Sequence, residues 1–150
     1  MSRPEHKRRE TVFTKIMTPV DLAHQDRLAK ALQVSADLAK HYNVPVIYVG
    51  VSAATPSSVA HTPAEFADKL GKFAAGQGEL HGIEASAHAI TSHDPRTDLD
   101  PTLLKAVDET GADLVVMASH IPNVTDYIWP SNGGTIAGHA KASVLVVRDS

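Results

Sequence analysis

The chain has 150 residues, 43% of them hydrophobic, which suits one domain of ordinary size. Its formal net charge of −3 gives no overall attraction to nucleic acid, and no apolar run approaches the roughly 20 residues of a membrane span. The absence of cysteine excludes disulfides, thiolate zinc sites and a cysteine nucleophile, and is typical of the reducing cytoplasm, which is the expected location.

The first half of the chain predicts two strands around a helix. Residues 1–11 are rich in basic side chains and lack an apolar pattern, so we expect a flexible tail. The run 12–18 mixes β-branched and apolar residues and predicts a strand that Pro19 ends. Apolar residues recur at helical spacing over 24–42, and the almost continuously apolar segment 44–51 predicts an inner strand.

The second half continues the alternation. Thr62, Pro63 and Glu65 carry the start signal of a helix that ends in the glycines between 76 and 82, and residues 83–90 predict a third strand. The polar segment 92–101 predicts a loop, with Asp100 capping a third helix that ends at Gly111. Residues 113–118 and 143–147 predict strands four and five, separated by a long loop over 118–134 and a short helix over 131–139.

This order predicts an α/β fold: a three-layer, doubly wound, five-stranded parallel sheet of strand order 3-2-1-4-5, Rossmann-like, with strand five at an edge. Ligands bind such sheets at the carboxyl ends of the strands, where the strand order reverses. Here that point lies between strands one and four. Asp21 follows the first of these strands, and Ser119 and His120 follow the other.

Each polar residue at this point has a structural and a functional interpretation. Asp21 could cap the following helix or bind ribose hydroxyls or a metal, and the two readings are evenly balanced. Ser131 and Asn132 could cap a helix or donate to a phosphate. His120 could also donate to a phosphate. A hydrolase triad of Ser119, His120 and Asp21 is disfavoured because the chain lacks the G-x-S-x-G elbow.

Three segments carry a family likeness: TPVDLAH after the first strand, ADLVVMASH at the fourth, and HAKASVLVVR at the end. They resemble the universal stress proteins, a family of adenine-nucleotide-binding α/β proteins. The resemblance implies a universal stress protein domain over 12–150, with the branch that carries A-S-H-x-P in its nucleotide loop as the most similar part of the family.

The resemblance also implies a nucleotide site. An acid matching Asp21 would hold the ribose or a metal, and Pro19, Val20 and Val51 would contact the adenine. The phosphates would lie along the loop after the fourth strand. The implied nucleotide-binding set is Pro19, Val20, Asp21, Val51, Met117, Ala118, His120, Ser131, Asn132 and Gly133.

The loop departs from the family's glycine pattern at all three glycine positions, which are matched by Ala118, Ile121 and Pro130. Ala118 adds only one methyl group. Ile121 resists a positive φ and adds bulk. Pro130 removes one N–H from the phosphate cradle, so a triphosphate loses more than AMP does.

The resemblance therefore implies an ATP-binding stress-response sensor or regulator, with AMP as a second ligand and Mg²⁺ as a companion ion. Hydrolysis of ATP is expected to be slow at most. We expect a homodimer paired through the edge strand over 143–148, and a regulatory protein client. The alternative is a protein–protein interaction module that has lost nucleotide binding and uses its proline-containing loop for docking.

Overall fold

The computed structural model describes residues 12–93, 95–119 and 141–148, with residues 95–100 described by their backbone alone. A 3-10 segment, Leu22–Leu28, follows the first strand. The strands are β1 (Ile16–Pro19), β2 (Val46–Ala53), β3 (Ala85–Ser92), β4 (Leu114–Ala118) and β5 (Ser143–Val147), and the helices are α1 (Ala29–Tyr42), α2 (Pro63–His81) and α3 (Pro95–Thr110).

The five strands form one parallel sheet in the order β3-β2-β1-β4-β5. The predicted fold class and strand order are confirmed. β1 is central, β2 is an inner strand, and β5 lies at an edge. Right-handed crossovers explain the order, because β1 to β3 progress in one direction and the chain then returns across the sheet to β4.

The sheet is covered on both faces. One core cluster joins it to α1 and α2 through Leu32 and Leu70, and the other joins it to α3 through Leu103 and Val107. Gly50 on β2 permits close packing of α2, because a Cβ atom at this position would lie 2.8 Å from Phe66 Cζ. The two helical layers therefore form on opposite faces, as a doubly wound sheet requires.

Helix α2 begins and ends where the sequence predicts. The Thr62 hydroxyl accepts a hydrogen bond from the Glu65 N–H at 3.1 Å, and Glu65 Oε1 accepts from the His61 N–H at 2.9 Å. Pro63 occupies the first turn, where its missing N–H has no intrahelical partner to lose. Gly82 ends the helix with a φ of 67°, a left-handed conformation that glycine adopts without strain.

The predicted start of the third helix is wrong. The dipeptide Asp-Pro, a start signal, occurs at 94–95 and again at 100–101. The helix begins at the first of these, at Pro95, so Asp100 is not its cap and Pro101 lies inside it. Most of the predicted loop 92–101 is therefore helical. The predicted end is correct, since Gly111 follows the helix with a φ of 74°.

Other boundaries shift by a few residues. β1 begins at Ile16 instead of residue 12, because the N–H groups of Thr14 and Lys15 bond to the Asp113 carboxylate, at 3.0 and 3.1 Å, instead of to a strand. The helix predicted over 24–42 divides into the 3-10 segment and α1, and β2 and β3 end two residues late. The helix predicted over 131–139 lies outside the described residues.

Within the described ranges, no helix is long and apolar enough to cross a bilayer.

Candidate functional site

β1 and β4 are neighbours, but they pair along only part of their length. Their register covers Ile16 with Leu114 and Met17 with Val115, whereas β1 stays in register with β2 as far as Pro19. The N–H groups of residues 16 and 20 bond to the β2 side. Since successive N–H groups of a strand point to opposite sides, Pro19 faces β4, where it has no N–H to donate. The ladder therefore stops at the point where the strand order reverses.

Asp21 lies at the end of β1, beside this opening. Its Oδ1 accepts from the Ala23 N–H at 2.9 Å, and its backbone carbonyl accepts from the His24 N–H at 3.0 Å. The side chain is only 11% exposed. Asp21 is thus the N-cap of the 3-10 segment. This is the structural one of the two roles that its position in the sequence allows.

His24 completes the turn, and the sequence patterns did not single it out. Its Nδ1 lies 3.1 Å from Asp21 Oδ2. Its backbone, at φ −134° and ψ 44°, interrupts the 3-10 segment. The available signal was a histidine three residues after a strand-end aspartate. Asp21 therefore pairs with His24. The hydrolase arrangement with His120 lies outside the described residues.

The apolar residues of the predicted site divide between the two faces of the sheet. Met117 and Val51 belong to the cluster under α3, while Val20 and Ala118 belong to the cluster under α1 and α2. The division follows from strand geometry, because consecutive side chains point to opposite faces. Met117 is completely buried and Val51 only partly. Val51 is therefore the member of this set with surface available to a ligand on the α3 side.

The end of β4 is anchored to β5. The Ser119 N–H donates to the Val147 carbonyl at 2.9 Å, which extends the pairing of the two strands by one residue. Ser119 is partly exposed beside the opening. The predicted phosphate-loop residues lie outside the described residues: His120, Ile121, Pro130, Ser131, Asn132 and Gly133.

A groove of about 590 Å³ lies between the 3-10 segment and α2, on the face of the sheet opposite α3. Its lining includes Phe73. It also contains Lys69 and Lys72, but each lysine is paired with an acid of its own helix, at 3.2 and 3.1 Å. Such paired surface charges offer little attraction to a phosphate. None of the predicted site residues lines this groove.

Tyr48, in the core beneath α2, is not a candidate acid or base. Its hydroxyl has no hydrogen-bond partner among the described residues, and burial raises the pKa of Tyr48 to about 12. The phenol is therefore neutral at any physiological pH. Among the described residues, no group of three or more His, Asp or Glu side chains is arranged to hold a metal ion.

The sequence matches the universal stress protein family over residues 13–148. Universal stress protein G of Shigella flexneri is 25% identical over 151 residues, a match that covers 91% of this chain and 100% of the relative.

Solved structures that share the fold include two with a bound nucleotide. The universal stress protein of Archaeoglobus fulgidus in complex with dAMP has a TM-score of 0.62 at 18% identity, over 90% of this chain and 98% of that chain. A universal stress protein family member of Arabidopsis thaliana with AMP bound has a TM-score of 0.57 at 14% identity, over 90% of this chain and 91% of that chain.

Proposed function

The chain belongs to the universal stress protein family, and from that premise we propose that it binds adenine nucleotides, ATP slightly in preference to AMP. The observation that carries the proposal is the early end of the β1–β4 ladder, with Asp21 beside the opening. The dAMP and AMP held by the two structural relatives support the same class of ligand.

Each part of the nucleotide is assigned its own residues. Pro19, Val20 and Val51 would contact the adenine, and Asp21 would accept from the ribose hydroxyls. Because the Val20 side chain is buried on the opposite face from Val51, its contact would be made by the backbone. Met117 supports the floor of the site. The phosphates would be held after β4 by Ala118, His120, Ser131, Asn132 and Gly133.

Mg²⁺ would enter with ATP. Magnesium sites commonly combine one or two carboxylates with the phosphates of the nucleotide. Asp21 can supply one such carboxylate in place of its ribose contact, since each of its oxygens has one hydrogen-bond partner among the described residues and retains acceptor capacity. The phosphates would then provide most of the remaining ligands.

We expect a stress-response sensor or regulator, acting in the cytoplasm on a protein client, in which ATP turns over slowly at most. Phosphoryl transfer depends on placed cations and a positioned base or water. The loop sequence 118–134 contains neither lysine nor arginine. A turnover rate typical of dedicated ATPases would contradict this part of the proposal.

Calorimetric titration of nucleotide-stripped protein tests the binding. We expect heats that fit micromolar affinity for ATP with Mg²⁺ and for AMP, and much weaker binding of GTP as the control for adenine recognition. An absence of binding with both adenine nucleotides would overturn the proposal and favour a docking module, and the search would then turn to protein partners.

We also expect β5 to pair with β5 of a second copy. β5 is an edge strand on which Leu145 and Val146 are 39% and 37% exposed. An exposed apolar edge is a template for strand pairing. Sedimentation at micromolar concentration should give a dimer mass for the wild type and a monomer mass for Leu145→Lys. A monomeric wild type would overturn this expectation.

A further inference from the structure

The Asp21 carboxylate is held at both of its oxygens by one short turn. The Ala23 N–H bonds to Oδ1 at 2.9 Å, and His24 Nδ1 lies 3.1 Å from Oδ2. Because a carboxylate accepts hydrogen bonds and does not donate them, Nδ1 must carry the proton. The plane of the carboxylate is therefore fixed by two contacts.

Only one of these contacts is needed for capping. An N-cap aspartate uses one oxygen to accept from a backbone N–H near the helix start, and the Ala23 bond does this. His24 bonds to the other oxygen. Its backbone lies outside the helical conformation, with φ at −134° and ψ at 44°. The histidine contact thus adds a constraint on the carboxylate that the cap does not require.

A carboxylate held in a fixed plane is suited to binding a ribose. A carboxylate has about four lone-pair sites, and the turn occupies one on each oxygen. Within the part of the chain that the structure describes, this leaves one acceptor site on each oxygen of Asp21. The vicinal 2′- and 3′-hydroxyls of a ribose can each donate to one of them, provided that the carboxylate does not rotate about its Cβ–Cγ bond.

We propose that His24 is a positioning residue that holds both Asp21 oxygens ready for a ribose diol and so makes the site select ribonucleotides over 2′-deoxyribonucleotides. This inference rests on the proposed function, because it takes Asp21 as the ribose ligand. His24 touches Asp21 and not the nucleotide. Without it, Oδ2 is free to turn away, while the Ala23 bond still holds Oδ1.

Two variants at one position separate the hydrogen bond from the bulk of the side chain. His24→Asn keeps a donor at the δ position, and His24→Leu replaces it with a methyl group. His24 is 32% exposed, so neither change opens a buried cavity. Gln25→Leu is the matched control, because Gln25 is an exposed neighbour in the same segment and bonds to the Leu22 carbonyl.

The measurement is the affinity of nucleotide-stripped protein for AMP and for 2′-deoxy-AMP. The wild type should bind AMP more tightly. His24→Leu should lose AMP affinity by about tenfold, the size of one well-oriented hydrogen bond to a charged group. Its affinity for 2′-deoxy-AMP should change less than about twofold, since that ligand presents a single hydroxyl. His24→Asn and Gln25→Leu should retain the wild-type preference.

The outcomes are distinguishable. A wild-type preference for AMP that persists in His24→Leu overturns the positioning role, and so does an equal loss for both nucleotides, which would indicate general damage. A wild type that binds neither nucleotide overturns the proposed function itself and this inference with it. If His24→Leu aggregates, His24→Ala removes the same hydrogen bond with less exposed apolar surface.

Discussion

The amino ends of the parallel strands form the amino edge of the sheet, and their carboxyl ends form the carboxyl edge. The two are built in opposite ways. At the amino edge, the Asp113 carboxylate accepts from the N–H groups of Thr14 and Lys15 and from the Thr14 hydroxyl, and so joins the start of β1 to β4. At the carboxyl edge the β1–β4 ladder stops after Met17. An aspartate is held by hydrogen bonds at each of these edges, but Asp113 joins two strands and Asp21 organises a single turn.

The two aspartates differ in how many of their acceptor sites the protein itself fills, and this decides whether each one serves folding or ligand binding. A carboxylate whose acceptor sites are filled by the protein contributes to folding and offers little to a ligand. A carboxylate held by two contacts, with acceptor sites remaining, can still accept from a bound molecule. Changes at the amino edge should therefore alter the free energy of unfolding, and changes at the carboxyl edge should alter nucleotide affinity.

The largest expected effect is at the amino edge. Asp113→Ala removes the acceptor of three donors. Hydrogen bonds to charged groups are strong, but Thr14 is exposed, which weakens them. The variant should therefore lower the free energy of unfolding by about 2–3 kcal/mol. Chemical denaturation measures this. Asp108→Ala, at an exposed position of α3, should cost far less. If Asp113→Ala also weakened AMP binding in the folded protein, the two edges would not be independent.

The same residue type at the carboxyl edge should give the opposite result. Asp21→Asn keeps an acceptor for the Ala23 N–H, and asparagine caps helices about as well as aspartate, so stability should change by less than about 0.5 kcal/mol. AMP affinity should fall by about tenfold or more, because a charged acceptor is lost. Calorimetry and thermal melting test both parts. Asp26→Asn, an exposed acid of the same segment, is the control.

A smaller effect is expected inside the fold, where β1 meets α1. The Ser35 hydroxyl donates to the Ala31 carbonyl at 2.9 Å, so the Thr18 hydroxyl, 2.8 Å from Ser35 Oγ, is the donor in their buried pair. Ser35→Ala leaves the Thr18 donor without this acceptor and should cost about 1.5 kcal/mol.

Thr18→Val removes that donor and keeps the side-chain shape, so the double variant with Ser35→Ala should be more stable than the two single effects predict. Simple additivity in denaturant melts would contradict a stabilising hydrogen bond between Thr18 and Ser35.

The smallest effect is a pH dependence at the start of α2. The His61 N–H, followed by Lys69, lowers the pKa of Glu65 below its ordinary value of 4.5. Since the folded pKa is the lower one, the stabilisation by this carboxylate is complete above pH 4.5 and is lost as the pH falls through the lowered value. Glu65→Gln should therefore melt slightly below the wild type near neutral pH and converge with it in acid. A difference that persists in acid would point to a cause other than ionisation.

Local signals predicted much of the fold. β5 matches its predicted range, and the capped start of α2 and the glycine ends of α2 and α3 are confirmed, because caps and turns depend on neighbouring residues. The same kind of signal failed at α3, where two Asp-Pro dipeptides lie six residues apart and local sequence did not distinguish them.

The candidate site was predicted in position but not in its contacts. The alternation of strands and helices placed Asp21 and Ser119 at the point where the strand order reverses. The pairing of His24 with Asp21 depends on a backbone turn that no periodicity encodes. The hydrogen bond from the Thr14 N–H to the Asp113 carboxylate joins residues 99 positions apart. This distant contact is also why β1 begins four residues later than predicted.

The sequence by itself determined the fold class, the strand order and the family, since periodicity, turn residues and the three family-like segments are all local patterns. Only the tertiary structure decided which polar groups are already satisfied. A hydrogen bond needs two groups at a set distance and angle, and the chain brings Asp113 to Thr14, Thr18 to Ser35 and the end of β1 beside β4 only when the sheet assembles.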